Sequence, residues 1–162
     1  MKYLNKAFVF FSLTFILVGF CNCGKARLFG TQMEVNPVSK SFPVEPGLAL
    51  KSAKEALAFY GYNLQKEDAE KGMLETHWQP TTSDSHYVSY FDKQDRGTVG
   101  AYHKLVVKVT SKGQGSQVEV SSVAQSFVNN LLSTQIEEHK VLNKIADFTR
   151  RQEVEVTNIG LQ

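Results

Sequence analysis

Val99-Gly100-Ala101-Tyr102-His103-Lys104-Leu105-Val106-Val107-Lys108-Val109-Thr110, then Ser111-Lys112-Gly113-Gln114-Gly115-Ser116, then Gln117-Val118-Glu119-Val120-Ser121-Ser122-Val123-Ala124, is the stretch on which the fold turns. In its first part His103, Leu105, Val107 and Val109 alternate with Lys104, Val106 and Lys108, a period of two that sends each set to its own face of a strand. The glycine-containing middle is a turn, and Val118 and Val120 mark one face of a partner strand. The whole therefore reads as an antiparallel hairpin. An antiparallel sheet with one apolar face must be covered, and segments suited to cover it lie on both sides.

Upstream, Leu50, Ala53, Leu57 and Tyr60 fall at helical spacing, Ala49 and Ala56 widen the stripe, and Pro46-Gly47 mark its start. Gly61 follows, where a left-handed cap favours a residue without a Cβ, so the helix is predicted to stop there. Tyr62 to Gln65 reads as a short strand, and residues 66–72 as a polar turn closed by Gly72. Met73 to Gln79 alternates again, with Leu74, Thr76 and Trp78 on one face, until Pro80 ends it. From Thr81 to Thr98 the chain is polar, with Tyr87 to Phe91 as a candidate strand inside a long connection. Downstream, Thr134-Gln135-Ile136-Glu137 fits a capping box opening a second helix to about Arg151. Val141, Leu142, Ile145 and Phe148 give that helix its apolar face. Glu153 to Val156 reads as a terminal strand or a frayed tail.

The expected fold is α+β: an antiparallel sheet of about four strands with two helices packed on one face. The single domain is expected to span 47–158, with 159–162 as a tail. Residues 24–46, carrying Gly30, Asn36, Pro37, Pro43 and Pro46, read as an extended linker.

Residues 1–23 form the pattern of a bacterial secretory signal: Lys2 and Lys6, an apolar run from Ala7 to Phe20, then Cys21-Asn22-Cys23-Gly24. That run is shorter than the roughly 17–25 apolar residues of a membrane-spanning helix. Cys21 and Cys23 are candidates for lipid attachment, although Phe20 and Asn22 are not the small residues a lipobox prefers before its cysteine. Cleavage near Gly24 to Ala26 is the competing reading. Either way the chain is expected to cross the inner membrane and to reside in the periplasm or on a membrane as a lipoprotein. Without Lys2 and Lys6 the 18 Lys+Arg fall to 16, against 16 Asp+Glu. A formally neutral domain has no electrostatic footprint for nucleic acid, and with no cysteine after Cys23 it has no disulfide to rely on.

Candidate chemistry is thin. Glu75 and His77 share a strand face, and His103 would add a second imidazole of the kind that binds zinc. His86 and His139 stand apart in sequence, and no His-x₃-His or Cys/His grouping occurs, so neither a metal nor a cofactor is expected. Ser111 to Ser116 joins two strands and is not a strand-to-helix nucleophile elbow, while Asp92 and Asp95 suit a solvated loop. No catalytic residue is assigned and the chain is not expected to be an enzyme. Tyr87, Tyr90, Phe91 and Tyr102 are instead a candidate binding patch, since aromatic residues on loops over a rigid sheet form recognition surfaces. Phe127, Val128, Leu131 and Leu132 form an apolar knot before the second helix.

Gly61-Tyr62, Leu64, Glu67-Asp68, Gly72, Leu74, Thr76 and Trp78 together resemble the motif of the helix-grip domains of BamC-like envelope lipoproteins, which accompany the outer-membrane barrel assembly machine. The resemblance covers roughly Leu48 to Arg151. It implies a non-enzymatic, membrane-tethered accessory or scaffold protein that binds another envelope protein. A carrier holding a small molecule or lipid between helices and sheet is the alternative, and an envelope enzyme the third reading.

Overall fold

The computed structural model describes residues 31–90, 93–96, 100–126 and 131–158. Its centre is the hairpin expected above. Strand β8 (Tyr102–Lys112) pairs antiparallel with β9 (Gly115–Ser126) through a continuous register from Tyr102↔Gln125 to Lys112↔Gly115. Only Gly113 and Gln114 lie between them. Gly113 has φ +60°, as the first central residue of a type II′ turn requires.

On one flank, β4 (Met73–Thr76) and β5 (Gln79–Pro80) pair with β8, and β3 (Leu64–Asp68) pairs with β4. The pairing slips by one residue between Glu75↔Val106 and Gln79↔His103. Leu74 and Thr76 are fully buried, but beyond the slip Trp78 is only half-buried, beneath the Lys104 ammonium 5.1 Å from its ring centroid. The one-face alternation expected for Leu74, Thr76 and Trp78 therefore ends at Thr76. Its hydroxyl takes the N–H of Leu105 at 2.9 Å.

On the other flank the structure corrects the sequence reading. The linker expected over residues 24–46 contains two strands of the domain itself, β1 (Thr31–Glu34) and β2 (Val38–Phe42), both antiparallel to β9. They form one edge interrupted at Val35 to Pro37, where proline has no N–H to give a ladder. Phe42 and Val44 enter the core. The main sheet runs β1/β2, β9, β8, β4/β5, β3, seven strands where about four were expected.

Two helices cover one face. Helix α1 (Pro46–Phe59) begins with proline at its first turn. It ends in a Schellman arrangement: Tyr62 N–H donates to Leu57 C=O at 2.9 Å, Gly61 N–H to Ala58 C=O at 3.0 Å, and Gly61 has φ +78°. Helix α2 (Ile136–Asn158) runs on through the residues read as a terminal strand or frayed tail. No glycine or proline interrupts it before Gly160. The capping box does not form. Gln135 precedes the helix at φ +62°, the Thr134 hydroxyl donates to Asp84 C=O at 2.6 Å, and Glu137 turns to other partners. Between helices and sheet, Ala49, Ala53, Ala56, Leu57 and Ile145, each with 0 % exposure, meet Leu74, Leu105, Val107, Val118 and Val120, also at 0 %.

Two strands of the long connection and one that follows β9 form a separate sheet. Strand β6 (His86–Tyr90) pairs with β7 (Lys93–Arg96) on one side and β10 (Leu131–Ser133) on the other. Its inner face meets the main sheet through a small apolar cluster of Val88 and Leu131 with Ala101 and Ala124.

Candidate functional site

Where the three-stranded sheet, the main sheet and the start of α2 meet, the interior is polar. Strand alternation that sends Leu105 and Val107 inward also sends His103 inward, with 3 % exposure. Its ring lies 5.1 Å from that of His86, centroid to centroid. Tyr62, positioned by the cap of α1, brings its hydroxyl to 3.1 Å from His103 Nε2 and donates a longer bond, 3.4 Å, to Glu137 Oε2 on α2. Glu137 also accepts from Lys140 at 3.2 Å. Glu138, 1 % exposed, accepts from Ser133 Oγ at 2.9 Å.

The proton positions follow from the partners. The Tyr62 hydroxyl has one proton, and a carboxylate can only accept it. His103 Nε2 must then carry a hydrogen and donate to Tyr62, leaving Nδ1 a bare acceptor with no partner among the described residues. At His86 the order reverses. Ser85 Oγ gives its proton to Thr82 C=O at 3.1 Å, so His86 Nδ1–H donates to Ser85 Oγ at 3.0 Å. Nε2 then accepts from Ser122 Oγ at 3.1 Å. Both imidazoles are neutral in this arrangement. Burial, reinforced by the neighbouring His103, pushes His86 down to about 4. Burial also lowers His103, against the opposing pull of Glu137, and raises both Tyr62 and Glu138 above their ordinary ranges. Glu138 Oε2, like His103 Nδ1, has no partner among the described residues. The other bonds of the cluster link the two sheets and α2.

The residues expected to bind lie elsewhere and apart. Tyr87 is half-buried on the outer face of the three-stranded sheet, opposite Leu132 on β10 and Arg96 on β7. Tyr90 holds register with Lys93 at the other end of β6. Tyr102 belongs to the main sheet, 43 % exposed at the start of β8. Phe91, Cys21 and Cys23 lie outside the described residues, as do Phe127 and Val128 of the apolar knot; Leu131 is buried and Leu132 exposed. The zinc-type grouping is not assembled. Glu75 pairs with Lys104, His77 is exposed, and His103 faces the helices.

Sequence reasoning missed Phe59 and put Tyr60 in the apolar stripe of the first helix, whereas Tyr60 is 37 % exposed at the C-terminal end of that helix, where the chain turns off the core. Phe59 is 61 % exposed, edge-on to Tyr60 at 5.2 Å and to Phe148 at 6.3 Å, with Lys144 Nζ 4.2 Å from its ring centroid. The available signal was Phe59 itself, an aromatic residue outside the Ala53–Leu57 stripe.

No family model matches the chain, and neither does any curated protein. Among solved structures, one match is the crystal structure of Ara h 8.0201, at 7% identity and a TM-score of 0.44, covering 75% of this chain and 99% of that one.

Proposed function

We propose that this chain is a non-enzymatic accessory domain of the bacterial cell envelope, tethered to a membrane through its N-terminal region and binding another envelope protein. The observation that carries the reading is the three-stranded sheet. The helix-covered main sheet has its own continuous apolar core, in which none of the described residues of β6, β7 and β10 takes part. They form an appendage that presents Tyr87, Leu132 and Arg96 outward, and tyrosine and arginine are residue types that anchor protein interfaces. The export pattern of residues 1–23 supports the location, and the resemblance to BamC-like domains supports a partner in outer-membrane assembly.

The test is site-specific photocross-linking in intact cells, with a benzophenone amino acid at Tyr87 or Leu132 and at Gln114 on the hairpin tip. A discrete adduct from the first two positions, absent from Gln114 and lost in a Leu132→Asp chain labelled at Tyr87, is the expected result. No adduct, or the same adducts from all three positions, would overturn it.

A further inference from the structure

The three-stranded sheet is joined to the rest of the domain by little apolar surface. Val88 and Leu131 meet Ala101 and Ala124, and beside them the seam is polar: His86 bonds Ser122 of β9, and Ser133 of β10 bonds Glu138 of α2. None of the described residues of β6, β7 and β10 belongs to the helix-covered core. They depend on the seam instead. A short three-stranded sheet keeps its shape only while an apolar face is packed, and the pairing of β6 with β10 and β7 is what sets Tyr87 opposite Leu132 and Arg96.

That seam has no bonded place for a further proton. At His86 both ring nitrogens are engaged, Nδ1–H with Ser85 and Nε2 with the hydroxyl of Ser122. A proton on Nε2 turns the Ser122 hydrogen away, at a residue with 0 % exposure and no other partner for its hydroxyl among the described residues. A proton on the bare Nδ1 of His103 makes a buried donor with no acceptor among the described residues. The two rings lie 5.1 Å apart, so a charge on one faces the other. No carboxylate bonds either ring among the described residues to offset it. From β8 His86 faces His103, from β9 Ser122 and, in register on β10, Ser133, behind which stands Glu138 of α2. Beyond His103 are Tyr62 and Glu137, the latter paired with Lys140. Burial holds the Glu138 carboxyl above its ordinary range, so acid neutralises it instead of leaving it to balance an imidazolium.

We propose that the His86–His103 seam is an acid-released latch: proton uptake there parts the three-stranded sheet from the main sheet while the helix-covered core stays folded, and so withdraws the face formed by Tyr87, Leu132 and Arg96. The last step rests on the partner reading of the previous subsection. The test is amide hydrogen exchange on the full chain at pH 7.5 and pH 5, corrected for the intrinsic effect of pH. A ring that titrates at about 4 when the seam is closed and at the ordinary 6.5 when it is open multiplies the opening constant about 30-fold between those two conditions. The β6 and β10 amides should show that rise, through an opening that leaves β8 and β9 protected, and His86→Gln should remove it. Equal opening constants for the β6 and β9 amides at pH 5 would overturn the latch, because the small sheet would then part only when the whole domain unfolds. So would an undiminished acid response in His86→Gln. Ring NMR of the unsubstituted chain decides the matter should that variant not fold: an imidazolium at position 86 or 103 at pH 5, in molecules whose β6 amides are still protected, would overturn the latch by showing that the closed seam accepts the charge. Photocross-linking from Tyr87 in isolated envelopes tests the last step, and the adduct formed at pH 7.5 should weaken severalfold at pH 5. An adduct as strong at pH 5 would overturn the withdrawal of the face. No adduct at either pH would overturn the partner reading, while the exchange result would still decide the latch.

Discussion

Gly72 closes the β3–β4 turn at φ +62°, and a Cβ there would collide with the carbonyl oxygen of Val109, whose own N–H donates to Gly72 C=O at 2.8 Å. Gly113 has nearly the same φ but open space around it. Gly72→Ala should therefore cost about 3 kcal/mol, strain plus collision, and Gly113→Ala only about 1 kcal/mol, strain alone. Urea unfolding of the two variants checks the difference. Composition and spacing predicted the turn at Gly72, but not its contact with a strand far along the chain, because close backbone approach leaves no periodic mark. Thr76 is similar: alternation placed it inward, yet nothing local showed that its hydroxyl serves the Leu105 N–H where the pairing slips. Thr76→Val, nearly isosteric, should cost about 1–3 kcal/mol by leaving that buried donor unpaired, read by the same unfolding midpoint.

At the scale of elements, the three-stranded sheet is held by a small apolar cluster and by the histidine pair, and both have measurable consequences. His86 faces Ser85 on its own connection, Ser122 on β9, and the His103 ring on β8; beyond His103 stand Tyr62 and, on α2, Glu137, with Glu138 bonded to Ser133 opposite His86. Its folded value near 4 lies below the ordinary 6.5, so between those limits the unfolded chain binds a proton that the folded chain refuses. The stability is whole above about pH 6.5 and is lost as pH falls toward 4, about 2 kcal/mol of it by roughly pH 5. Glu138 acts in the opposite sense, because burial raises its pKa and proton uptake on acidification then favours the fold. His86→Gln, which keeps a polar partner for Ser122 without a titrating ring, should flatten the acid limb of a stability-against-pH profile. Leu131→Ala should raise hydrogen exchange throughout β6, β7 and β10 while sparing β8 and β9, since only the small cluster loses contact. Little of this was legible beforehand. The capping-box pattern of Thr134 and Glu137 is real as a sequence, but the threonine hydroxyl bonds the β6 connection instead and the glutamate turns to Tyr62 and Lys140. Bonds to Asp84 C=O and Tyr62 take the place of the reciprocal box, and of the local cap only a long bond from Ile136 N–H to Thr134 Oγ1, 3.4 Å, remains.

For the whole molecule, the decisive difference is where the domain begins. The hairpin, both helices and the helix-over-sheet arrangement follow from periodicity because each has one face in a continuous core. Strands β1 and β2 escaped because they lie at an edge: Ser39, Lys40 and Ser41 are exposed, and Pro37 breaks the run, so their composition is that of a linker. Their partners, however, are central. Val38 to Phe42 pair residue for residue with Val120 to Ser116, and Phe42 and Val44 are each 6 % exposed against the same core as Leu57 and Ile145. Removing them strips β9 of its outer neighbour and uncovers the ends of Val118 and Val120. A chain beginning at residue 47, the boundary the sequence suggested, should therefore not unfold cooperatively in urea. One beginning at residue 27 should give a single sharp transition, and adding Phe42→Ala to it should lower stability by about 3–5 kcal/mol, the cost of emptying a buried aromatic site. Equal cooperativity from the two truncations would mean that β1 and β2 are held by the domain without helping to hold it.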